Sequence, residues 1–95
     1  MFKELDPLLH SELRLGVMSI LISVESADFT YIRKQTGATS GNLSVQLEKL
    51  SQAGYITITK SFIGKVPRTT CQVTKEGTNA FKEYVEALQT YIVTK

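Results

Sequence analysis

The first strong pattern along the chain is a run of apolar residues spaced three and four positions apart. Its members are Leu13, Val17, Ile20, Leu21 and Val24. This spacing gathers apolar side chains on one face of an α-helix, whereas a strand would alternate every second residue. Ser11 precedes the run and can accept a hydrogen bond from a free N–H group of the first turn. The pattern predicts a helix over residues 11–24.

Two further helical patterns follow, joined by a short turn that contains glycine. Phe29 and Ile32 anchor a helix over residues 30–36, and Gly37 fits the left-handed position that often follows a helix. Thr39 can cap the next helix. Its apolar stripe consists of Leu43, Leu47 and Leu50, and Gly54 follows its end. Two helices joined in this way are the signature of a helix-turn-helix, here over residues 30–53.

After residue 54 the pattern changes from helical to alternating. The β-branched and aromatic residues at 55–59 and at 69–73 predict two strands, joined by a basic loop over 61–68. Together they predict a β-hairpin over residues 55–73. The short polar segment 25–28, by contrast, predicts only a connection between helices.

The ends of the chain predict helices as well. Asp6 followed by Pro7 is a typical helix start and predicts a short helix to Leu9 or His10. Thr74 can cap a last helix from residue 75 to about residue 93. The predicted fold is therefore mainly α with a small β-hairpin (α+β), a winged helix-turn-helix in one domain over residues 1–95.

The third predicted helix has a polar outer face. With its leucines turned to the core, the opposite side presents small polar groups and one aliphatic side chain. Amides can pair with adenine, an apolar group can contact the thymine methyl, and hydroxyls can hold phosphate. Taken alone, the pattern fits a DNA-reading helix and an ordinary solvated helix equally well. The candidate DNA contacts on it are Thr39, Ser40, Asn42, Ser44, Val45, Gln46 and Lys49.

The predicted hairpin is basic, which favours the DNA-reading interpretation. Lys60, Lys65 and Arg68 cluster around Gly64 and Pro67. Residues 31–68 carry six Lys or Arg against one Glu, a net charge of +5, whereas residues 1–30 carry −3 and residues 69–95 carry zero. Concentrated positive charge is typical of a surface that faces a polyanion.

Both ends carry more apolar surface than one small core needs. Two apolar stripes lie side by side on the last helix, and the first ten residues add further apolar groups. We expect residues 1–10 and 75–95 to be helical dimerisation segments of a homodimer, which would present two recognition helices. The alternative is that the two termini pack on each other within one chain. The candidate interface residues are Phe2, Leu5, Leu9, Tyr84, Leu88, Tyr91 and Ile92.

Composition argues against several other classes of protein. One histidine, His10, and one cysteine, Cys71, do not make a metal-ligand set, and Cys71 in a predicted strand is interpreted as a small buried residue. No catalytic constellation or glycine-rich phosphate loop is present, so we expect neither an enzyme nor a cofactor. No apolar stretch is long enough to span a membrane, and no secretory signal is evident at the start. These features predict a cytoplasmic protein.

The motifs above, in this order, resemble those of the small winged-helix regulators related to MarR and ArsR. The motifs are Leu13-Arg14-Leu15, Phe29-Thr30-Tyr31-Ile32, Thr39-Ser40-Gly41-Asn42-Leu43-Ser44, Leu47-Glu48-Lys49-Leu50, Ala53-Gly54-Tyr55-Ile56, Pro67-Arg68-Thr69 and Thr74-Lys75-Glu76-Gly77. The resemblance implies a homodimer joined through its terminal helices, with a recognition helix in the major groove and a wing in the flanking groove.

The resemblance assigns the candidate contacts from Thr39 to Lys49 to the recognition helix, and Lys65 and Arg68 to the wing. Val45 and Gln46 stand where many relatives place a basic residue or histidine, so their base preference does not carry over. The cysteine and histidine clusters of the metal-sensing relatives are absent from this sequence, so metal sensing does not carry over either.

The leading hypothesis is a DNA-binding transcriptional regulator that acts on duplex DNA as a homodimer. In it, Ser44, Lys60 and Lys65 hold phosphates, while Asn42, Val45 and Gln46 read base edges. The alternative is a winged-helix protein–protein interaction module whose third helix contacts a partner protein. RNA binding is a third option, although residues 40–52 lack an aromatic stacking platform. A small-molecule effector is compatible with the fold, but nothing in the sequence supports one.

Overall fold

The computed structural model describes residues 1–92, which fold into four helices and a three-stranded antiparallel sheet. The helices are α1 (Glu12–Val24), α2 (Phe29–Thr36), α3 (Ser40–Gln52) and α4 (Lys75–Gln89). The strands are β1 (Ser26–Asp28), β2 (Ile56–Ile63) and β3 (Val66–Val73), in the spatial order β1-β3-β2. The predicted fold class is confirmed: a helix-turn-helix followed by a β-hairpin wing.

Each helix begins at a side chain that caps it. Ser11, Thr39 and Thr74 accept hydrogen bonds from the backbone N–H groups of Arg14, Asn42 and Gly77, respectively, as their positions in the sequence predict. Asp28 does the same for α2 through the N–H of Tyr31, at 2.8 Å. Gly37 ends α2 in the left-handed conformation, with φ of +73°. Local side-chain chemistry therefore fixes where the helices begin.

The prediction of a plain connector over residues 25–28 is wrong, because this segment contains a strand. Residues 26–28 of β1 pair with residues 70–72 of β3, with Ala27 opposite Cys71. Three residues are too short to show an alternating pattern, and the strand forms because β3 offers it a free edge. This pairing places the start of α2 beside the base of the wing.

The wing is longer and more regular than the sequence predicts. The expected basic loop over residues 61–68 is mostly strand, and the pairing of β2 with β3 continues to Ile63 opposite Val66. The turn has only two residues, Gly64 and Lys65, and Gly64 adopts a φ of +63°. The apolar pairs near the tip support strand structure as far as this turn.

The prediction of a short helix near the N-terminus is also wrong. Asp6 caps a single turn, in which the N–H of His10 donates to the carbonyl oxygen of Asp6 at 2.9 Å. The turn ends there because Ser11 is extended, with φ of −152°, to cap α1. At the other end, α4 stops at Gln89, and tighter hydrogen bonds between residues three apart continue to Ile92. The predicted end of this helix at residue 93 lies outside the described residues.

The core lies between the helices and the inner face of the sheet. Cys71 is fully buried in β3, as predicted, and burial raises the pKa of its thiol to about 11. Leu9 from the N-terminal turn and Tyr84 from α4 are also buried. Within residues 1–92, the buried core cluster consists of Leu9, Val17, Met18, Leu21, Ile32, Leu43, Leu47, Leu50, Ile56, Cys71 and Tyr84.

Tyr55 ties the N-terminal turn to the start of the wing, and this contact depends on pH. Its hydroxyl donates to Asp6 Oδ2 at 2.6 Å; this hydrogen bond, with burial and the nearby acidic charges, raises the pKa of Tyr55 to about 12. The neutral phenol therefore stabilises the folded state below pH ~10, its unfolded value, and this contribution disappears as the pH rises through about 12.

Replacing Tyr55 with Phe is expected to lower the free energy of unfolding by about 1 kcal/mol near neutral pH. The difference from wild type should shrink as the pH rises from ~10 to about 12, because the phenol of the unfolded wild type then ionises while that of the folded protein does not. Urea denaturation of both proteins across this pH range measures the difference in their free energies of unfolding. Tyr31→Phe, at a ring that is 45% exposed, serves as control. A difference that stays constant with pH would contradict the proposed role of the hydroxyl.

Candidate nucleic-acid interface

Helix α3 lies against the core on one side and faces solvent on the other. Leu43, Leu47 and Leu50 are buried, at most 2% exposed, and they orient the helix. The line farthest from the core then carries Gly41, Val45 and Gln52, and the Val45 side chain is 52% exposed. The outermost groups near the N-terminal end of α3 are thus a glycine and a small aliphatic side chain, which permit close approach of another surface.

One flank of α3 faces the wing and is lined with hydroxyl groups. Ser40, Ser44 and Ser51 lie along it and border a groove of about 800 Å³ between α3 and the sheet. Lys60 and Thr69, paired across β2 and β3, form the opposite wall. The structure therefore brings two predicted contacts on α3, Ser40 and Ser44, to the same groove as one predicted wing cation, Lys60. Hydroxyls and an ammonium group around one groove suit a phosphate.

The other flank of α3 faces α1 and carries amide groups. Asn42 is exposed and Gln46 is half-buried, and the Gln46 amide donates to Asn42 Oδ1 at 2.9 Å. Gln46 Oε1 in turn accepts a hydrogen bond from the Arg14 guanidinium. Two predicted base-reading residues are therefore linked to each other and to α1. Thr39, also predicted as a contact, is exposed but uses its hydroxyl to cap α3, and Lys49 is exposed one turn beyond Gln46.

Arg14 is a residue of this site that the sequence reasoning missed. It lies in the first turn of α1, where the helix dipole favours acidic over basic side chains. A cation at such a position is a weak signal that its side chain has another role. Its Nε also donates to the carbonyl oxygen of Leu8 at 2.5 Å, so two hydrogen bonds fix the guanidinium.

The predicted cluster of three wing cations is not formed, because they do not share one face of the ribbon. Lys60 pairs with Thr69 on the face toward α3, whereas the neighbouring pair of Ser61 and Arg68 lies on the opposite face. Arg68 is 3.7 Å from Asp28 Oδ2, which is an ion pair at the start of α2. Lys65 is exposed in the turn at the tip. Arg68 therefore lies in the outer half of the wing, on the face away from α3, and remains about half exposed, at 49%.

The tip of the wing is apolar as well as basic, which the sequence reasoning also missed. Phe62, Ile63 and Val66 are 71%, 56% and 66% exposed. Ile63 and Val66 also border a hollow at the start of α2, lined by Phe29 and Thr30. The cross-strand pairs Phe62 with Pro67 and Ile63 with Val66 place apolar groups on both of its faces.

The chain termini meet within one chain, which was the alternative to dimerisation. Phe2 stacks on Tyr91 with ring centroids 4.8 Å apart, and the Tyr91 hydroxyl donates to the carbonyl oxygen of Lys3 at 2.9 Å. Two predicted interface residues, Leu9 and Tyr84, are corrected here because they are already buried in the core of one chain. Leu5 and Leu88 are partly buried against that core.

Three predicted interface residues keep exposed surfaces despite these contacts, among them Tyr91 at 44%. Phe2 is 59% exposed and Ile92 is 56% exposed.

Within residues 1–92, no group of three or more His, Cys, Asp or Glu side chains is arranged to hold a metal ion. No helix in the same part of the chain is both long and apolar enough to cross a membrane.

Comparison with known proteins supports the same fold and family. Residues 13–92 match a family model described as a winged helix DNA-binding domain. The uncharacterized protein MJ0432 of Methanocaldococcus jannaschii is 33% identical over 81 residues, which are 84% of this chain and 88% of the relative.

Two solved structures place the fold among transcriptional regulators. A transcriptional regulator homologue from Pyrococcus horikoshii OT3 superposes with a TM-score of 0.81 at 30% identity, covering 88% of this chain and 83% of that one. A MarR family regulator from Silicibacter pomeroyi shares the fold, with a TM-score of 0.69 at 13% identity over 87% of this chain and 55% of its own. The chain belongs to the winged helix DNA-binding domain family.

Proposed function

We propose that this protein is a transcriptional regulator that binds duplex DNA as a homodimer, with α3 in the major groove and the wing against the flanking groove. The observation that carries the proposal is the exposed face of α3. It has small groups on its outermost line, hydroxyls on one flank and amides on the other. A helix that enters the major groove needs close approach at its N-terminal end and hydrogen-bonding groups beside it.

The two flanks of α3 have different roles in this proposal. Ser40, Ser44 and Lys60 surround the groove toward the wing and contact phosphate oxygens, with help from the free N–H groups at the start of α3. Asn42, Val45 and Gln46 lie on the outer side and toward α1, and they read base edges. Lys49 follows the same flank toward the backbone of the DNA.

The wing contributes in two places. Lys65 at the tip is free to follow the phosphates of the flanking groove. Arg68 lies on the face of the ribbon away from α3, half exposed beside Asp28, and contributes positive charge to the wing rather than a direct base contact. We therefore expect Arg68→Ala to weaken DNA binding through the loss of one positive charge on the wing.

Selection of bound duplexes from a random library, followed by affinity measurements against salt concentration, tests the proposal. Affinity should fall steeply with salt because the contacts release counterions. Lys65→Ala should reduce the slope by about one unit, whereas Lys82→Ala on α4 should leave it unchanged. A flat salt response, or failure to enrich any sequence, would rule out sequence-specific DNA binding.

The homodimer is proposed from the apolar surface that remains at the termini. Phe2 and Ile92 stay more than half exposed although Phe2 stacks on Tyr91. Exposed apolar groups beside an intrachain aromatic pair support a two-fold contact with a second copy. This surface involves the N-terminal turn and the end of α4, and it excludes the buried Leu9 and Tyr84.

Ile92→Asp is expected to shift the protein from dimer to monomer while the chain keeps its fold, because this side chain is 56% exposed in one chain. Analytical ultracentrifugation of wild type and variant measures the change in mass. Val66→Asp, on the wing, is the matched control and should remain dimeric. A wild-type protein that sediments as a monomer at high concentration would favour the alternative that the termini only pair within one chain.

One observation favours a second candidate function, a protein–protein interaction module. The apolar wing tip of Phe62, Ile63 and Val66 exposes more apolar surface than phosphate contacts need. A stoichiometric partner recovered with the protein, lost on Phe62→Ser and without co-purifying DNA, would support that function over DNA regulation.

A further inference from the structure

A chain of hydrogen bonds runs from the N-terminal turn to the outer face of α3. The Arg14 guanidinium donates through Nε to the carbonyl oxygen of Leu8 at 2.5 Å and through Nη1 to Gln46 Oε1. Gln46 Nε2 then donates to Asn42 Oδ1 at 2.9 Å. Arg14 and Gln46 are half-buried, whereas Asn42 at the end of the chain is exposed.

Arg14 determines which way round each amide lies. A guanidinium has five N–H donors and no acceptor, so Gln46 must turn its oxygen to Arg14 and its NH₂ group away. Asn42 must then turn its oxygen toward that NH₂ group, which leaves its own NH₂ group on the outside. An isolated amide can rotate to present either its oxygen or its nitrogen, but this pair cannot do so without breaking a hydrogen bond.

Because Asn42 Oδ1 is turned toward Gln46, the groups of the pair that face outward are mainly N–H donors. Gln46 has one N–H left after its bond to Asn42, and Asn42 has two. In the major groove, guanine offers two acceptors, O6 and N7, side by side. Adenine offers one acceptor and one donor, so an amide that pairs with it in two places must present both its oxygen and its nitrogen.

We propose that Arg14 is a positioning residue that fixes the Gln46–Asn42 pair as a donor array, so that the protein selects guanine over adenine at the base pair it contacts. This inference rests on the proposed binding of duplex DNA. It goes beyond that proposal because Arg14 itself contacts no base and because it reverses the adenine preference that isolated Asn and Gln side chains suggest.

The test compares affinities for the wild-type selected duplex and for duplexes in which each guanine of the half-site is changed to adenine. Wild type should prefer guanine at one position on the order of 10-fold, the size typical of a good base-edge contact. Arg14→Leu frees the amides and should bring that ratio to about 2-fold or less, with the same salt slope. Arg14→Lys keeps a donor at this place and should restore the preference.

Gln46→Glu provides a second variant that keeps a partner for Arg14. Its carboxylate accepts from Arg14 but has no N–H to donate to Asn42, so guanine preference should again be lost while the melting temperature holds. Because each result is a ratio of affinities, the effect of the added charge on phosphate contacts cancels. An unchanged ratio in both Arg14→Leu and Gln46→Glu, or adenine at every contacted position of the wild-type site, would overturn the inference. Failure of the wild type to bind any duplex would instead overturn the proposed function on which it rests.

Discussion

Replacing Gly77 with alanine is expected to destabilise the protein by about 3 kcal/mol or more, because a side chain at this position has no room. A Cβ atom at Gly77 would lie 2.1 Å from the backbone oxygen of Tyr55 and 2.9 Å from its carbonyl carbon. Both are backbone atoms at the start of the wing, so a change of rotamer cannot relieve the clash.

Relief requires the first turn of α4 or the backbone at Tyr55 to move, and either shift disturbs other contacts. The Thr74 N–H donates to the Tyr55 oxygen at 3.1 Å, and the Thr74 hydroxyl donates to the Gly54 oxygen at 2.6 Å. The same hydroxyl accepts from the Gly77 N–H at 2.9 Å to cap the helix. The close approach of Gly77 therefore joins helix, cap and wing at one point.

Thermal denaturation followed by circular dichroism measures this effect. For a domain of this size, a loss of 3 kcal/mol corresponds to a fall in melting temperature of roughly 12 °C or more. Gly41→Ala is the matched control, since no atom lies within 4 Å of the added Cβ and the residue is inside α3. It should raise stability by about 0.5–1 kcal/mol. A Gly77→Ala protein that melts as the wild type does would show that the backbone contact is not tight in solution.

Val45→Glu is expected to weaken DNA binding on the order of 100-fold while leaving the fold intact. Val45 is 52% exposed on the outermost line of α3, so in the proposed complex a carboxylate there would face the bases and phosphates. The change removes an apolar contact and adds a negative charge inside a negatively charged groove. Stability should change by no more than about 0.5 kcal/mol because the side chain is not part of the core.

Val24→Glu is the control for this substitution. Val24 is 45% exposed at the end of α1, away from the face of α3 proposed to meet DNA. Fluorescence anisotropy with the selected duplex should show a large loss for Val45→Glu and a small one for Val24→Glu. If the two variants lost affinity equally, the loss would reflect total charge alone, and α3 would not be the reading helix.

Much of the helical framework was predictable from the sequence because its signals are local. Ser11, Thr39 and Thr74 cap their helices within three residues, and Gly37 ends α2 one residue beyond it. The strand β1 and the end of the N-terminal turn depend on more distant residues, and the sequence reasoning got both wrong. Strand β1 forms by pairing with the edge of β3, some 45 residues away. The N-terminal turn ends because Ser11 must be extended to cap α1.

In the candidate site too, some features follow from local sequence signals and others depend on contacts with distant residues. The polar face of α3 follows from the positions of three leucines, so the sequence predicts Asn42, Val45 and Gln46 as outward groups. It does not predict that Arg14 holds Gln46 from a helix 32 residues earlier. It also does not predict that Arg68 pairs with Asp28 on the face of the wing away from α3.

The sequence by itself determined the order of the helices, the hairpin and the residues that α3 turns outward, because periodicity and capping act over a few neighbouring positions. The tertiary structure alone decided the direction of each amide on α3, the separation of the wing cations and the intrachain contact of the termini. Those features depend on which distant donor or acceptor reaches a given side chain, and that is fixed only when the core brings the elements together.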